Sequence, residues 1–214
     1  MYNGNGYGIS NLMFNSDSND HELYGLFRAV SAAYITNLEI SVGGNGFAPE
    51  LLSNNTPYAK PTTGCGGAAF VGTAIGGCRI ENCVAKGQFG SADHPTGHTT
   101  AGILGYINDT MKTNANDEYI LTNVRNDIDI YGSRKIGGIC GYVQGRQKYT
   151  NVENRGNTTS LGIFSQLSND GNGGIFGYMT YNKGAKDYPC VTLSNVSNYG
   201  VISSASDPNY KYTG

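Results

Sequence analysis

Short apolar segments bounded by glycine, asparagine and serine follow one another along the whole chain. Their runs of about four to six residues are typical of β-strands, whose ends need turn-forming side chains. No segment keeps a sustained helical period, and the best helical candidate, Leu23 to Ala33, is short and is interrupted by Gly25. The pattern predicts an all-β protein.

One of these apolar segments returns at a fixed interval. Its central isoleucine recurs as Ile103, Ile139 and Ile175, which are 36 residues apart at each step. Looser copies surround Phe70 and Leu26. A constant interval of this size indicates an internal structural repeat.

A second recurring segment places an asparagine before an apolar residue, with Ser or Thr before the asparagine in five of six copies and Glu81 in the sixth. Asparagine tolerates a left-handed backbone at bends, and its amide in one repeat can bond to its equivalent in the next. The alternative is a repeated turn preference without such bonds. The sequence predicts a structural asparagine ladder formed by Asn11, Asn37, Asn82, Asn123, Asn151 and Asn195.

A third, weaker segment combines glycine with alternating apolar residues, as in Ile128 to Gly132, and gives each repeat three short strands. Three strands per repeat suit a coil that pairs in parallel with the coils beside it. A propeller blade needs four strands, and a sandwich does not return identical residues in register. We therefore predict one domain over residues 1–214, a right-handed parallel β-helix (β-solenoid) of about six three-strand coils.

The connections between these segments vary in length, since successive ladder asparagines are 26, 45, 41, 28 and 44 residues apart. Variable loops on a constant scaffold are common recognition surfaces. The predicted loop insertions are Phe47 to Pro61, Ser91 to Thr100, Asn108 to Asp117 and Thr180 to Pro189.

The Gly-Gly-Ile-x-Gly-Tyr segment followed by Thr-Asn-Val resembles the GLUG repeat of bacterial secreted and surface proteins. The resemblance covers most of the chain, and Asn3 to Leu12 resembles the segment that commonly precedes such repeats. It implies a β-helical module of a larger extracellular protein, adhesin-like or peptidase-associated, with no catalytic residues and no cofactor. The best copies are Gly102–Tyr106, Gly137–Tyr142 and Gly173–Tyr178.

The chain begins inside that opening segment and stops at Tyr212-Thr213-Gly214, where another glycine-flanked strand is expected. Solenoids normally shield their terminal coils, because open edges template aggregation. We therefore expect a fragment of a longer protein, or a chain that joins its neighbours end to end.

Composition and charge exclude several classes of protein. The 32 glycines follow no Gly-X-Y period, which excludes collagen. A net charge of −2 with no Lys/Arg run predicts no nucleic-acid partner. No apolar run reaches the roughly 18 residues needed to cross a bilayer, so we predict no membrane insertion.

The residues that could carry chemistry have plain structural interpretations. Five cysteines without zinc spacing are interpreted as buried thiols, with a Cys65–Cys78 disulfide as the alternative. His94 and His98 share one loop, which favours a solvated surface loop over a metal or acid/base site. The acidic stretches Ser16–Glu22 and Asn169–Gly173 are interpreted as polar turns rather than calcium sites. We therefore predict no catalytic residue and no metal ligand.

Tyr106, Tyr142 and Tyr178 form the most interesting binding candidate, because their constant spacing stacks them at about 4.8 Å in a solenoid. Facing outward, they would stack on sugar rings or on a partner; facing inward, they would be core. Arg28 at the position of Gly105 indicates that this position faces solvent, and alternation then turns Tyr106 inward. The structural role is therefore favoured.

The sequence as a whole predicts a non-catalytic module, extracellular or at a cell surface, that binds in an adhesin-like way or acts as a spacer. A glycan or a host or cell-surface protein is the expected partner. The alternative is a carbohydrate-active β-helix enzyme, either a polysaccharide lyase or a glycoside hydrolase, whose site would lie partly in the loops.

Overall fold

The computed structural model describes residues 1–14, 24–47, 67–92, 95–96, 99–108, 118–132, 134–161, 171–180 and 191–204. These residues form an all-β structure of fifteen strands, and no helix occurs among them. The helical candidate over Leu23 to Ala33 is wrong where the chain is described, because a strand begins at Phe27. The strands are β1 (Tyr2–Asn3), β2 (Gly8–Phe14), β3 (Phe27–Phe47), β4 (Val71–Phe89), β5 (Thr100–Ala101), β6 (Leu104–Asn108), β7 (Glu118–Gly132), β8 (Ile136–Gly137), β9 (Cys140–Val143), β10 (Arg146–Asn154), β11 (Thr158–Ser160), β12 (Asn172–Gly173), β13 (Phe176–Met179), β14 (Val191–Asn198) and β15 (Ile202–Ser204).

The strands pair in parallel and build one large curled sheet and one small sheet. The long strands lie in the order β3, β4, β7, β10 and β14, so each strand contacts its equivalent one repeat away. Strands β6, β9 and β13 continue from the first half of β4, and the small sheet has the order β12-β8-β5. Parallel neighbours cannot be joined by hairpins, so the chain must travel back before each new strand.

The register of the strands follows the interval seen in the sequence. Leu104 pairs with Cys140, and Cys140 pairs with Phe176, a step of 36 residues each time. Val71, in the looser copy of the segment, pairs with Leu104. Equivalent residues of successive repeats therefore lie side by side.

The core consists of apolar columns that run across the long strands. One column joins Ile35, Ile80, Leu121 and Tyr149, each at most 1% exposed. Fully burying a side chain of this size stabilises the fold by about 1.5–3 kcal/mol. Because no single strand can cover such a side chain, stability depends on stacking the repeats.

The thiols that the structure describes are buried and free, namely Cys78, Cys83 and Cys140. This agrees with the buried-thiol interpretation for these three, while Cys65, the proposed disulfide partner, lies outside the described residues. The histidines His21, His94 and His98 and the acidic stretch Ser16–Glu22 also lie outside them, as do most residues of the predicted loop insertions.

Candidate functional site

Asparagine side chains form a continuous row along the outside of the long strands. In this outer asparagine row, each Nδ2 donates to the Oδ1 of the asparagine one repeat earlier, over 2.8–3.1 Å. From the second member onward the backbone is left-handed, with φ between 52° and 55°. Asparagine suits such bends because its short amide tolerates this conformation. The members are Asn3, Asn37, Asn82, Asn123, Asn151 and Asn195.

Asn11 does not hold the position in this row that the sequence predicted for it. Its φ is 56°, but its backbone packs beside Gly43, and Asn37 donates to Asn3 instead. The reason is a tight turn after Asn3, in which the Tyr7 N–H donates to the Gly4 carbonyl oxygen. The first interval of the row is therefore 34 residues, from Asn3 to Asn37, and not the 26 residues that Asn11 would give.

A second asparagine row begins inside the molecule with Asn126 and Asn154 and ends at Asn198, which is exposed. In this inner asparagine row, Asn126 Nδ2 donates to Asn154 Oδ1 and Asn154 Nδ2 donates to Asn198 Oδ1, both over 2.7 Å. Each Nδ2 also donates to the carbonyl oxygen two residues ahead. Asn126 and Asn154 are fully buried, and buried amides are stable only when they are hydrogen-bonded in this way.

The inner asparagine row was not predicted, although the chain carries a signal for it. Each member follows a member of the outer asparagine row by three residues, in the recurring pattern Asn-Val-x-Asn. The second asparagine was overlooked because buried polar residues are uncommon in a strand core.

The inner asparagine row explains the glycine that comes directly before the central isoleucine of the repeated segment. A Cβ atom on Gly102, Gly138 or Gly174 would overlap the side chain of Asn126, Asn154 or Asn198, respectively. One repeat earlier, the residue equivalent to Asn126 is Ala85, and the two residues pair in adjacent strands. In the same repeat, the residue equivalent to Gly102 is Ala69, whose N–H donates to the Gly102 carbonyl oxygen. Two alanines thus stand where the later repeats have a glycine and an asparagine. A smaller residue at one position accompanies a larger residue at the other, so the core stays filled.

The three tyrosines predicted as a column are brought together in one tyrosine stack. The ring centroids of Tyr106 and Tyr142 are 4.7 Å apart with 29° between the planes, and those of Tyr142 and Tyr178 are 5.4 Å apart. The Lys135 Nζ lies 4.7 Å from the Tyr142 centroid and 5.1 Å from that of Tyr178. Burial raises the pKa of Tyr106 and of Tyr142 above the ordinary value for tyrosine.

The tyrosine stack faces neither fully inward nor fully outward, since each ring is half buried. Arg28 is exposed as expected, but Ala29 at the position of Tyr106 is exposed too, so alternation alone does not decide the orientation. A sugar ring needs an open aromatic face to stack on. Here neighbouring rings turn their faces to one another and a lysine covers two of them, which favours the structural role of the tyrosines.

The outer surface of the long strands carries paired charges. Lys86 Nζ lies 2.8 Å from Glu39, and Arg125 Nε lies 3.0 Å from Asp127. Arg155 likewise pairs with Glu153 over 2.8 Å. Exposed pairs of this kind contribute little to stability. They do, however, prevent a strong field of one sign on this surface.

A further contact on this surface joins Tyr34, Arg79 and Glu81. The Tyr34 hydroxyl donates to Glu81 Oε2 over 2.6 Å, and Arg79 pairs with the same carboxylate. The hydrogen bond from Tyr34 is the main reason that the pKa of Glu81 is lowered. The carboxylate is therefore held ionised and occupied, in a structural contact between adjacent strands.

Within the described ranges, no three residues of the metal-ligating types His, Cys, Asp and Glu are close enough together to hold a metal ion. No helix that is long and apolar enough to cross a membrane is found in the described part of the chain.

Comparison with protein-family models finds no match to the chain, and no similarity to a curated protein or to a solved structure was found. The GLUG resemblance therefore stays a prediction from the repeated residues.

Proposed function

We propose that this chain is a non-catalytic extracellular repeat module, folded as a right-handed parallel β-solenoid, that acts as an adhesin-like surface binder or as a structural spacer. The observation that carries this proposal is the outer asparagine row, whose five hydrogen bonds join six successive repeats in order. Such a row needs equivalent bends to lie directly above one another, as they do in stacked coils.

The two sheets support the solenoid form of the proposal. The small sheet β12-β8-β5 follows the same order of repeats as the strands β13, β9 and β6. One repeat thus contributes to more than one sheet, as each turn of a coil does. The right-handed sense is proposed because parallel strands are connected in this way in about 98% of cases.

The repeated polar and aromatic side chains are engaged in structural contacts, which supports a non-catalytic role. Amides of the inner asparagine row bond to one another, and the rings of the tyrosine stack cover one another. The buried thiols are unsuited to act as nucleophiles, because burial raises the pKa of Cys78 and of Cys140 to about 12. The thiolate is the reactive form, and little of it exists near neutral pH.

We assign recognition of the partner to the connections between strands, which vary in length from repeat to repeat. Strands β9 and β10 are joined by only Gln144 and Gly145, whereas nine residues, 109–117, separate the equivalent strands β6 and β7. Constant strands with connections of unequal length are the usual way in which repeat proteins present a binding surface. The extracellular location and the glycan or cell-surface partner rest on the resemblance to GLUG repeats.

The proposal is tested by screening the purified chain on a glycan array, with calcium and with EDTA, beside a connection-replacement variant. In that variant residues 108–117 are replaced by the Gln-Gly pair of the short connection, which the structure already accommodates between β9 and β10. Tyr142→Ala is the matched control. Selective binding that survives Tyr142→Ala and is lost in the replacement variant supports recognition by the connections.

The same screen separates the other roles. An absence of binding by the unaltered chain in both conditions favours the spacer. Release of shorter glycans during incubation would contradict a non-catalytic module and would favour the carbohydrate-active alternative.

A further inference from the structure

The long strands follow one another across the large sheet in the order of the sequence. Strand β3 pairs with β4, β4 with β7, β7 with β10 and β10 with β14, so the chain advances by one strand with every repeat. Adjacent strands lie about 4.8 Å apart in the direction of their hydrogen bonds. Tension on the chain from the two sides of these strands therefore acts across the strands and not along them, and further chain on either side leaves this direction unchanged.

Hydrogen bonds that are loaded across the strands break in succession. The pull reaches a strand at the point where the chain leaves it, so the bond nearest to that point carries most of the load. Two neighbouring strands that are pulled along their lengths in opposite directions share the load among all their bonds instead. Strands β7 and β10 show the size of this difference, because eight residue pairs lie in one continuous register between them.

Each boundary between two repeats is closed by bonds of its own. In the outer asparagine row, Asn82 Nδ2 donates to Asn37 Oδ1 across one boundary, and Asn123 Nδ2 donates to Asn82 Oδ1 across the next. The ion pair between Lys86 and Glu39 likewise spans a single boundary. Repeat proteins are stabilised between nearest neighbours in this way, so one boundary can open while the next stays closed.

The repeats contain different lengths of chain. Successive members of the outer asparagine row are 34, 45, 41, 28 and 44 residues apart. A fully extended chain spans about 3.5 Å per residue, so the shortest repeat holds about 95 Å of chain and the longest about 155 Å. Each repeat adds only about 4.8 Å to the stack, so its release lengthens that part of the chain about twenty- to thirty-fold.

We propose that this chain is an extensible spacer, in which tension across the strands detaches the repeats one after another while the others remain folded. This inference deepens the spacer role proposed above and rests on it, but it does not depend on glycan binding. The variable connections then have a mechanical effect, because they set the length of chain that each repeat releases.

Stretching single molecules of the full chain by its two termini in optical tweezers tests this inference. The unaltered chain is expected to lengthen in separate steps that match the intervals of the outer asparagine row. The 28-residue repeat is expected to give a step of about 90 Å, clearly shorter than the steps of the 41-, 44- and 45-residue repeats. Release of all repeats in one step would overturn the inference.

The connection-replacement variant assigns the steps to repeats. It replaces the ten residues 108–117 by two, so the 41-residue interval becomes 41 − 8 = 33 residues. The step of that repeat is expected to shorten by about 28 Å while the other steps keep their lengths. Unchanged steps, or a change in a different step, would contradict release by whole repeats. Far-UV circular dichroism checks that the variant is folded.

The direction of the pull gives a second measurement that needs no altered connection. Handles attached through bio-orthogonal side chains at residues 118 and 146 pull β7 and β10 apart from the same end, because Glu118 pairs with Arg146. Handles at residues 118 and 155 pull the same two strands along their lengths in opposite directions. We expect rupture in the first geometry at a several-fold lower force, and equal forces would overturn the inference.

Failure of this inference is distinguishable from failure of the proposed function. A chain that unfolds in one step, or with equal forces in the two geometries, loses its role as an extensible spacer. The glycan-array result, which tests binding and the absence of catalysis, is unaffected by either outcome.

Discussion

Side chains that face one another across the core of this chain are matched in volume, one position against another. The pair Gly102 and Asn126 in one repeat corresponds to Ala69 and Ala85 in the repeat before it. The glycine exists to make room for an amide, and the amide bonds to its neighbours in the inner asparagine row. In the repeat of Ala69 and Ala85, both the glycine and the amide are absent.

This match gives a prediction at the scale of the residue. Gly102→Ala forces a methyl group against the Asn126 side chain, and Asn126→Ala leaves carbonyl and amide partners unsatisfied. Each variant is expected to lower the free energy of unfolding by about 2 kcal/mol. The double variant recreates the two alanines of the earlier repeat, and its loss is expected to be clearly smaller than the sum.

Urea unfolding of the four proteins measures this cycle. Gly8→Ala is the matched control, because a Cβ there would have no atom nearer than 3.8 Å, and it is expected to cost little. If the double variant lost as much free energy of unfolding as the two single variants together, the residue sizes at the two positions would be independent of each other.

The buried thiols give a second prediction at the same scale. Burial raises the pKa from the ordinary value of 9.0 to about 12 for Cys78 and Cys140 and to about 11 for Cys83. Because the pKa is raised in the folded state, the thiols leave stability unchanged below pH 9 and reduce it as the pH rises above 9 toward 11 and 12. The unfolded chain ionises in that window and the folded chain does not.

The expected loss is about 1.4 kcal/mol per thiol for each pH unit above about 9. Urea unfolding midpoints at about pH 8 and about pH 10 measure this loss of stability. Cys140→Ala removes one buried thiol, so we expect it to reduce the loss by the amount that one thiol contributes. A midpoint that is unchanged across this window would contradict the burial of these thiols.

At the scale of the element, the sequence predicted which segments pair but not how far each strand extends. The interval between Ile103, Ile139 and Ile175 anticipated the parallel register of β6, β9 and β13. This succeeds because a parallel stack places equivalent residues side by side, so the repeat length in the sequence is the register itself.

The long strands were not predicted, because their bends look like strand ends. Strand β4 runs from Val71 to Phe89 through Asn82, whose φ is 52°. A left-handed asparagine interrupts the alternation of side chains without interrupting the hydrogen bonds to the neighbouring strand. The sequence pattern therefore showed separate segments where the chain forms one curved strand.

The asparagines of the outer row were mostly predicted from the sequence and those of the inner row were not, for a related reason. Asn82 and Asn151 stand out because they precede an apolar residue at every copy, whereas Asn126 and Asn154 lie at core positions where sequence reasoning expects apolar side chains. Asn11 was placed wrongly because the short turn after Asn3 changes the register of the first repeat. Contacts between repeats determine both the burial of the inner asparagines and the place of Asn11. The spacing of residues in the sequence does not reveal these contacts.

At the scale of the whole molecule, the proposed function separates stability from recognition in space. The strands, the two asparagine rows and the tyrosine stack hold the repeats together, while connections of unequal length carry the variation. A scaffold of this kind stabilises each repeat through its neighbours. Loss of one repeat is therefore expected to weaken the repeats on either side of it.

The most direct test of the central claim, a stack of parallel repeats in this register, is a cross-link between equivalent positions of adjacent repeats. Lys148 pairs with Thr192, and both are exposed. In Lys148→Cys/Thr192→Cys the two thiols lie about 5 Å apart, within reach of a short thiol-specific cross-linker. In the control Lys148→Cys/Ser194→Cys the second thiol is shifted by two residues on the same face, to about 8 Å.

Peptide mass mapping of the products reports the linked pairs. The stacked structure predicts rapid cross-linking between the two introduced thiols of Lys148→Cys/Thr192→Cys and slow or absent cross-linking in the shifted control, with the native buried thiols unmodified. Equal yields in the two variants, or a higher yield in the shifted one, would contradict the parallel register and with it the stack of repeats.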